Sequence, residues 1–523
     1  MKRVLSLSGG WIYSESSVLD PFRSAGKSEK VNLPFTVDFS RRPVYSCIYR
    51  KEIPVPTEMR MREMWVEFDG ICGKADIFVD ENLVCTRRHS PTRFRINITP
   101  FIKSDTVAVL SIVLSSDDIQ DRASFYSAGI FGEARLIIVD TARFALGEKG
   151  SDGICIRSRI VDGVGKVNVS ANIDNPINYD ILSYTINASD GSEIATVKTN
   201  PVKSDVEITV PDALGWTPQE PNLYTLVARI IRDGRAQDVR SVAFGFRNFE
   251  YDEGYLLNGE KTTLKGYSFS PYRENGLSSD ASADYSDVCM IKELGGNFVR
   301  CDGYPGREFI DCCDENGVLV AIENNALIRP DMTDSDFEAI LLTLSDIAAQ
   351  TRNNPSVVML CLGKVMVADE GNIPADKIQR LVDAVKSAGG QQLKFMYGYR
   401  DERLVPSPAS FNTDCDGECV VADYIDDYVT DSGIQKGYRE CPGKEISDDA
   451  YLCKLKFADD EFTHICKIDY SVKNPVVKVY SNKKDISLVL NDKENKPVTL
   501  TSDNGIFTAE NLKITKKTRI KII

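Results

Sequence analysis

Near residue 250 the hydrophobic rhythm of this 523-residue chain changes, and no single fold accommodates both halves. Before that point apolar residues alternate with polar ones. Ala75-Asp76-Ile77-Phe78-Val79 is followed by the turn Asp80-Glu81-Asn82 and by Leu83-Val84-Cys85. Arg93-Phe94-Arg95-Ile96-Asn97-Ile98 has one apolar and one polar face, and residues 107–114 form a longer apolar run. Short period-two segments separated by turn residues predict antiparallel sandwiches. The pattern persists through Lys166-Val167-Asn168-Val169-Ser170-Ala171-Asn172-Ile173 and residues 225–231. Trp216-Thr217-Pro218-Gln219-Glu220-Pro221 reads as a rigid connection between them. About 100 residues of this kind fit an immunoglobulin-like sandwich over 144–249.

Beyond residue 256 short apolar runs alternate with helical stripes. Residues 263–267, 297–300, 318–322, 357–362 and 393–397 predict buried strands, and 285–294, 307–315, 334–350 and 376–388 predict helices. Phe337, Ile340, Leu341, Leu344, Ile347 and Ala348 fall on one stripe of the third helix. Gly295-Gly296, Asn316-Gly317 and Gly389-Gly390 supply helix stops. Strand–helix alternation with continuous apolar strands argues for α/β, most simply a barrel. After Leu404 the rhythm fails, apart from one strand at 420–425, and a basic, glycine-containing connection follows. From 456 the chain reads as β again, a small C-terminal sandwich. The predicted fold is therefore multidomain β plus α/β, divided at 1–143, 144–249, 250–455 and 456–523.

Composition narrows the chemistry. The formal charge is −14, from 63 basic and 77 acidic residues, which disfavours nucleic acid and anionic membrane as partners. The two histidines, His89 and His464, are too few for a multi-histidine metal site and argue against a serine triad. Both lie in β regions outside the barrel and read as surface or packing residues. The 14 cysteines are scattered and read as reduced, buried thiols. Cys415 and Cys419 are spaced for a metal, but no second pair or histidine follows nearby, so no metal and no cofactor is expected. No apolar run reaches the roughly 18 residues that span a bilayer. The apolar start is too short for a signal peptide, which leads us to expect a cytoplasmic protein or a chain numbered after cleavage.

Several segments, in order, resemble glycoside hydrolase family 2, the β-galactosidase/β-glucuronidase family. Tyr49-Arg50-Lys51-Glu52-Ile53, Phe68-Asp69-Gly70 and Thr99-Pro100-Phe101 are similar to its sugar-binding jelly roll. Gly129-Ile130-Phe131 resembles the turn closing that domain, with Gly132 where the family has arginine. Trp216-Thr217-Pro218, Pro221-Asn222-Leu223-Tyr224, Phe244-Gly245-Phe246-Arg247 and Leu257-Asn258-Gly259 resemble the second domain and the lead into the barrel. Val299-Arg300, Tyr304-Pro305, Cys313-Asp314-Glu315-Asn316-Gly317 and Arg352-Asn353-Asn354-Pro355-Ser356-Val357 resemble barrel strands and helices. The likeness covers nearly the whole chain. It implies a jelly roll, an immunoglobulin-like sandwich, a reduced TIM-type barrel and a small C-terminal β-sandwich.

The same resemblance exposes what is missing. A retaining glycosidase needs two carboxyl groups roughly 5–5.5 Å apart, carried on strand ends. The family's acid/base glutamate follows Leu-Gly-Asn at the end of strand four, but here the run is Leu362-Gly363-Lys364-Val365. Ser268-Phe269-Ser270-Pro271 replaces an asparagine-arginine-histidine-glutamate run, Asp302-Gly303 precedes Tyr304-Pro305 where histidine is expected, and Asp426 stands where a late tryptophan belongs. No strand ends in the nucleophile's motif, and the barrel region holds about six strand-like segments rather than eight. The expected function is that of a degenerate, inactive relative that keeps a carbohydrate-binding or interaction role. The alternatives are an active exo-β-glycosidase with relocated carboxylates, or a structural subunit whose partner completes the barrel; a homo-oligomer is also allowed. Arg300, Asp302, Tyr304 and Glu323 are the candidate substrate contacts, and Lys364 and Val365 the degenerate catalytic positions. Glu370, Asp401 and Glu402 are the other acids near strand ends. Trp65, Trp216, Phe125 and Tyr126 could stack on sugar, although core packing or domain contact is the preferred reading.

Overall fold

Alternation decides the N-terminal sheets. Lys74–Val79 buries every second side chain, and so does Tyr224–Arg232 over its length. Each strand therefore offers one face to a core and one to water. The computed structural model describes residues 3–16, 28–38, 46–55, 62–88, 92–103, 107–115, 127–365, 373–389, 393–399, 404–406, 419–422, 428–430, 433–435, 448–491 and 497–523, less short stretches at 141, 148, 178–179, 201–203, 252–253, 274–275, 278–279, 325 and 459. His89, Phe125, Tyr126, Glu370, Asp401, Glu402, Cys415 and Asp426 lie outside the described residues.

The first unit faces a six-stranded antiparallel sheet against a four-stranded one, with Trp11, Tyr49, Phe68 and Leu110 fully buried in its core. The second pairs Ile154–Val161, Val164–Ala171 and Val206–Val210 in one sheet, and Glu193–Thr199, Ile181–Asn187, Tyr224–Arg232 and Arg235–Phe244 in the other. Tyr184, Phe244 and Phe246 fill the space between them.

The third unit is built on a parallel sheet. Its strands are β1 (Leu264–Phe269), β2 (Phe298–Cys301), β3 (Leu319–Glu323), β4 (Val357–Val365), β5 (Lys394–Tyr399) and β6 (Cys419–Ala422). Strands β1 to β5 are neighbours in sequence order, and β6 returns to pair in parallel with β1. The outer edge of β5 instead takes Leu404–Pro406 antiparallel, and no pairing among the described residues joins that edge to β6. Helices α1 (Ala281–Glu293), α2 (Arg307–Asn316), α3 (Asp334–Thr351) and α4 (Ala375–Ser387) cover one face of the sheet. That face buries Val299, Cys301, Val320 and Ile322. The other face buries Phe298, Leu319, Ala321 and Cys361 against Trp216, Phe249 and Tyr255.

Local signals explain the helix ends. The Asp280 side chain accepts from the Ala283 N–H, which starts α1 four residues before the apolar stripe. Thr333 caps α3 in the same way through the Asp336 N–H. Gly317 closes α2 at φ +70°, and a Cβ there would lie 2.4 Å from the Pro218 carbonyl oxygen. One expectation is corrected: the connection read before residue 456 contains a helix, α5 (Asp448–Phe457). It lacks a clean apolar stripe because it is wedged between two units. Phe457 packs edge-on to Tyr267, and Leu455 approaches Gly505 of the C-terminal sheets.

The units are clasped together by buried polar groups. Arg247 donates from Nε to the Pro355 carbonyl (2.9 Å) and from Nη2 to the Val357 carbonyl (2.8 Å). Trp216 Nε1 donates to the Asp314 carbonyl at 2.8 Å. Asn353 accepts from the Ile156 N–H and donates to the Ile154 carbonyl. Across another seam Arg87 meets the buried Asp346 of α3 at 2.6 Å, and Gln350 brackets the Arg93 backbone. Where three units meet, Asp152 contacts Arg95 (3.2 Å), Arg307 (3.1 Å) and Arg93 (3.9 Å) beside a polar cleft of about 250 Å³.

Candidate functional site

In a parallel sheet all strands present their C-terminal ends at one rim, so that rim is where side chains from separate strands converge. Here it carries Arg300 and Cys301 at the end of β2 with Asp302 just beyond, Glu323 at the end of β3 with Asn324 just beyond, and Gly363, Lys364 and Val365 on β4.

Arg300 pairs in register with Ala321, and Glu323 lies two residues further along β3, on the same face as Ala321. The two side chains therefore meet: Arg300 Nε lies 3.0 Å from Glu323 Oε1, and the Glu323 side chain is only 2% exposed. Burial of that carboxylate is supported by the adjacent guanidinium, the condition under which a charge tolerates desolvation. Asp302 is half-buried, and its N–H donates to the Phe269 carbonyl, which anchors the turn leaving β2. Tyr304 is buried in the cluster of the helix-covered face with Phe309 and Ile322, and burial pushes its hydroxyl well above the usual tyrosine range. The Cys301 thiol is also raised, by burial first and then by the charges of Glu323 and Asp302.

Asn324 was missed by sequence reasoning. It is buried, its N–H donates to the Cys361 carbonyl, and its Nδ2 donates to the Leu362 carbonyl, tying the end of β3 to β4. Beyond it Leu327–Ile328 adds alongside the last residues of β4, pairing Leu327 with Lys364 and Ile328 with Val365. Gly363 permits this crossing, because a Cβ there would sit 2.6 Å from Ile328 Cδ1. The backbones of Lys364 and Val365 also pair with Gly398 and Tyr399 of β5, and their side chains lie outside what is described. Among the described residues, the rim acids are thus Asp302 and the arginine-paired Glu323.

The aromatic candidates are occupied elsewhere. Trp216 is fully buried in the seam with α2, and Trp65 lies beneath the Arg143 guanidinium at 5.7 Å. His464 is stacked on Tyr451, far along the chain from the rim.

Residues 153–247 match the family model for glycosyl hydrolases family 2. A β-galactosidase of Bacteroides ovatus is 24% identical over 351 residues, covering 63% of this chain and 40% of that protein. A β-galactosidase of Thermoanaerobacter pseudethanolicus is 24% identical, covering 68% of this chain and 51% of that protein. The chain thus spans about half the length, or less, of these curated relatives. Among solved structures, an FMN-binding β-glucuronidase from Faecalibacterium prausnitzii superposes with a TM-score of 0.80 at 20% identity, covering 100% of this chain and 98% of that one. A β-galactosidase-like protein of Bacteroides fragilis, described as putative, gives 0.83 at 17% identity, with the same coverage of both chains. The β-rich multidomain fold is therefore shared along the whole chain.

Proposed function

We propose that this relative of the family 2 glycoside hydrolases binds carbohydrate at the sheet rim and does not hydrolyse it. The observation that carries the reading is Gly363-Lys364-Val365 at the end of β4, where the resemblance calls for asparagine and glutamate. Valine has no proton to deliver to a departing sugar, and the neighbouring lysine offers a cation in place of a carboxylate. The Arg300–Glu323 pair supports the same reading, since the buried acid on the next strand already serves a guanidinium. We assign the chain the units 1–143, 144–249, 250–455 and 456–523, and read the third as a (β/α) barrel shortened between β5 and β6. Its sequential parallel strands and the return of β6 to β1 support this. Arg300 and Asp302, both half-buried at the rim, are the groups we assign to hydroxyl or carboxylate contacts with a β-glycoside.

The full chain is to be assayed with aryl β-galactosides and β-glucuronides, and its affinity for the corresponding sugars measured by calorimetry. The expected result is no turnover above buffer and saccharide binding weakened at least about tenfold by Arg300→Gln. Turnover that a single carboxylate substitution abolishes, whether Glu323→Gln, Asp302→Asn or a change at Glu370, Asp401 or Glu402, refutes the loss of hydrolysis. Absence of any saccharide binding refutes the retained site.

A further inference from the structure

We propose that Asp448, His464 and Cys466 form a binding site for one divalent transition-metal ion of the zinc class, at the junction of α5 and the C-terminal sheet. The donors come from two elements. Thr463–Ile465 pairs with Val477–Ser481, and the Cys466 N–H continues that ladder by donating to the Lys478 carbonyl at 2.9 Å. In extended chain, residues two apart project to the same side, so His464 and Cys466 face one way together. Asp448, the first residue of α5, faces them.

The ring nitrogen, the thiol sulfur and a carboxylate oxygen all lie within 4.8 Å of one another. A tetrahedral zinc site with bonds of about 2.0–2.3 Å sets its ligands roughly 3.3–3.7 Å apart. Side-chain movements of about an ångström reach that geometry, including an opening of the 2.7 Å contact between His464 Nε2 and Asp448 Oδ1.

The donors are already held in orientation. The His464 ring stacks on Tyr451 at 3.6 Å with an interplanar angle of 5°, which fixes its plane. Asp448 Oδ2 accepts from the Lys467 N–H at 2.9 Å, the kind of outer hydrogen bond that orients a liganding carboxylate. Cys466 is buried, whereas His464 and Asp448 are partly open, leaving a side from which water completes the coordination. One nitrogen, one sulfur and one oxygen donor suit Zn²⁺ and disfavour Ca²⁺ and Mg²⁺, which take oxygen ligands. The ion would staple α5 to the C-terminal sheet.

The test uses the full chain, stripped by chelator and titrated with Co²⁺. The expected result is one equivalent per chain with the intense thiolate-to-cobalt absorption of a tetrahedral site, displaced by Zn²⁺. Cys466→Ser should abolish that absorption and weaken binding at least about 100-fold. Circular dichroism establishes that each variant is folded. Should Cys466→Ser fail to fold, His464→Gln and Asp448→Asn carry the test, each expected to weaken binding at least about tenfold. Absence of stoichiometric Co²⁺ binding overturns the site. So does absorption that persists in the folded variants, because the chain has 14 cysteines and the band would then belong to another thiol.

Discussion

Asp314 on α2 gives this fold a pH dependence that falls in the neutral range. Its carboxylate is buried, accepts from the Ser356 N–H at 2.9 Å and from Asn354 Nδ2 at 2.5 Å, and burial pushes its pKa up to about 7. An unfolded aspartate titrates near 3.9. A folded-state pKa above the unfolded one means that stability is fully present below about pH 4 and is lost as pH rises through about 7. Between pH 5 and pH 8 the linkage integral amounts to about 2.5 kcal/mol of lost stability, steepest below pH 7 at about 1.4 kcal/mol per pH unit. Asp314→Asn keeps an acceptor for the Ser356 N–H and removes the titration, so the variant's pH profile should be flatter than the parent's by that amount. Other raised carboxyls, Asp346 and Glu308, contribute equally to both profiles and cancel in the difference. The assay is denaturant unfolding at pH 5, 6, 7 and 8, followed by tryptophan emission. Trp216 is a local reporter because its Nε1 donates to the Asp314 carbonyl. Parallel pH profiles for parent and variant would refute the reasoning.

Three further outcomes concern buried charges and a tight glycine. Arg87→Met leaves the Asp346 carboxylate buried without its cation and should cost about 3–5 kcal/mol, whereas Arg87→Met with Asp346→Leu should recover most of it; additive losses in a double-mutant cycle would show no coupling. Gly317→Ala, with a left-handed φ and the Pro218 backbone 2.4 Å from the new Cβ, should destabilise by more than about 2 kcal/mol, whereas Gly163→Ala, left-handed but in open space, should cost about 1 kcal/mol; both are read by thermal unfolding. Glu67 is held down to about 2, its burial outweighed by Arg95, Arg93 and Arg135, so it contributes stability above about pH 4.5 that is lost as pH falls toward 2. Glu67→Gln should therefore flatten the acid limb of the unfolding profile.

Much of the architecture was legible because each element announced its own period. The change near residue 250 marks where antiparallel sheets give way to β1–β6, and the four helices fall where glycine stops and apolar stripes place them. What escaped was non-local. Nothing in the stripe of α3 marks Asp346 as a contact for Arg87, since the partners are 259 residues apart. The pairing of Leu327–Ile328 with β4 has no periodic signature in two residues. Helix α5 packs on two units at once, so its apolar residues do not fall on a single stripe. At the rim the residue types could be read from the sequence, but the 3.0 Å pairing of Arg300 with Glu323 depends on strand register.

Several of the segments on which the family resemblance rests, those around Trp216, Gly245, Asp314 and Asn354, converge in space away from the rim. A Cβ on Gly245 would stand 2.9 Å from Trp216 Cβ and 3.0 Å from Pro355 Cγ. Arg247 holds the carbonyls of Pro355 and Val357, Asp314 holds Asn354 and Ser356, and Gly317 abuts Pro218. Asn354 and Ser356 lead into β4 and Gly317 into β3, so this joint lies at the N-terminal ends of the strands, opposite the end at which barrel enzymes carry their chemistry. The most recognisable sequence thus builds the joint between the second and third units, and it constrains packing whether or not a sugar is cleaved. Lys364 and Val365 stand at the opposite end of β4 from Asn354 and Ser356. The separation is testable: Arg247→Lys loses the two-pronged grip on Pro355 and Val357 and should lower the unfolding midpoint, with saccharide affinity unchanged within about twofold. A loss of affinity as large as that from Arg300→Gln would show instead that joint and rim are mechanically coupled.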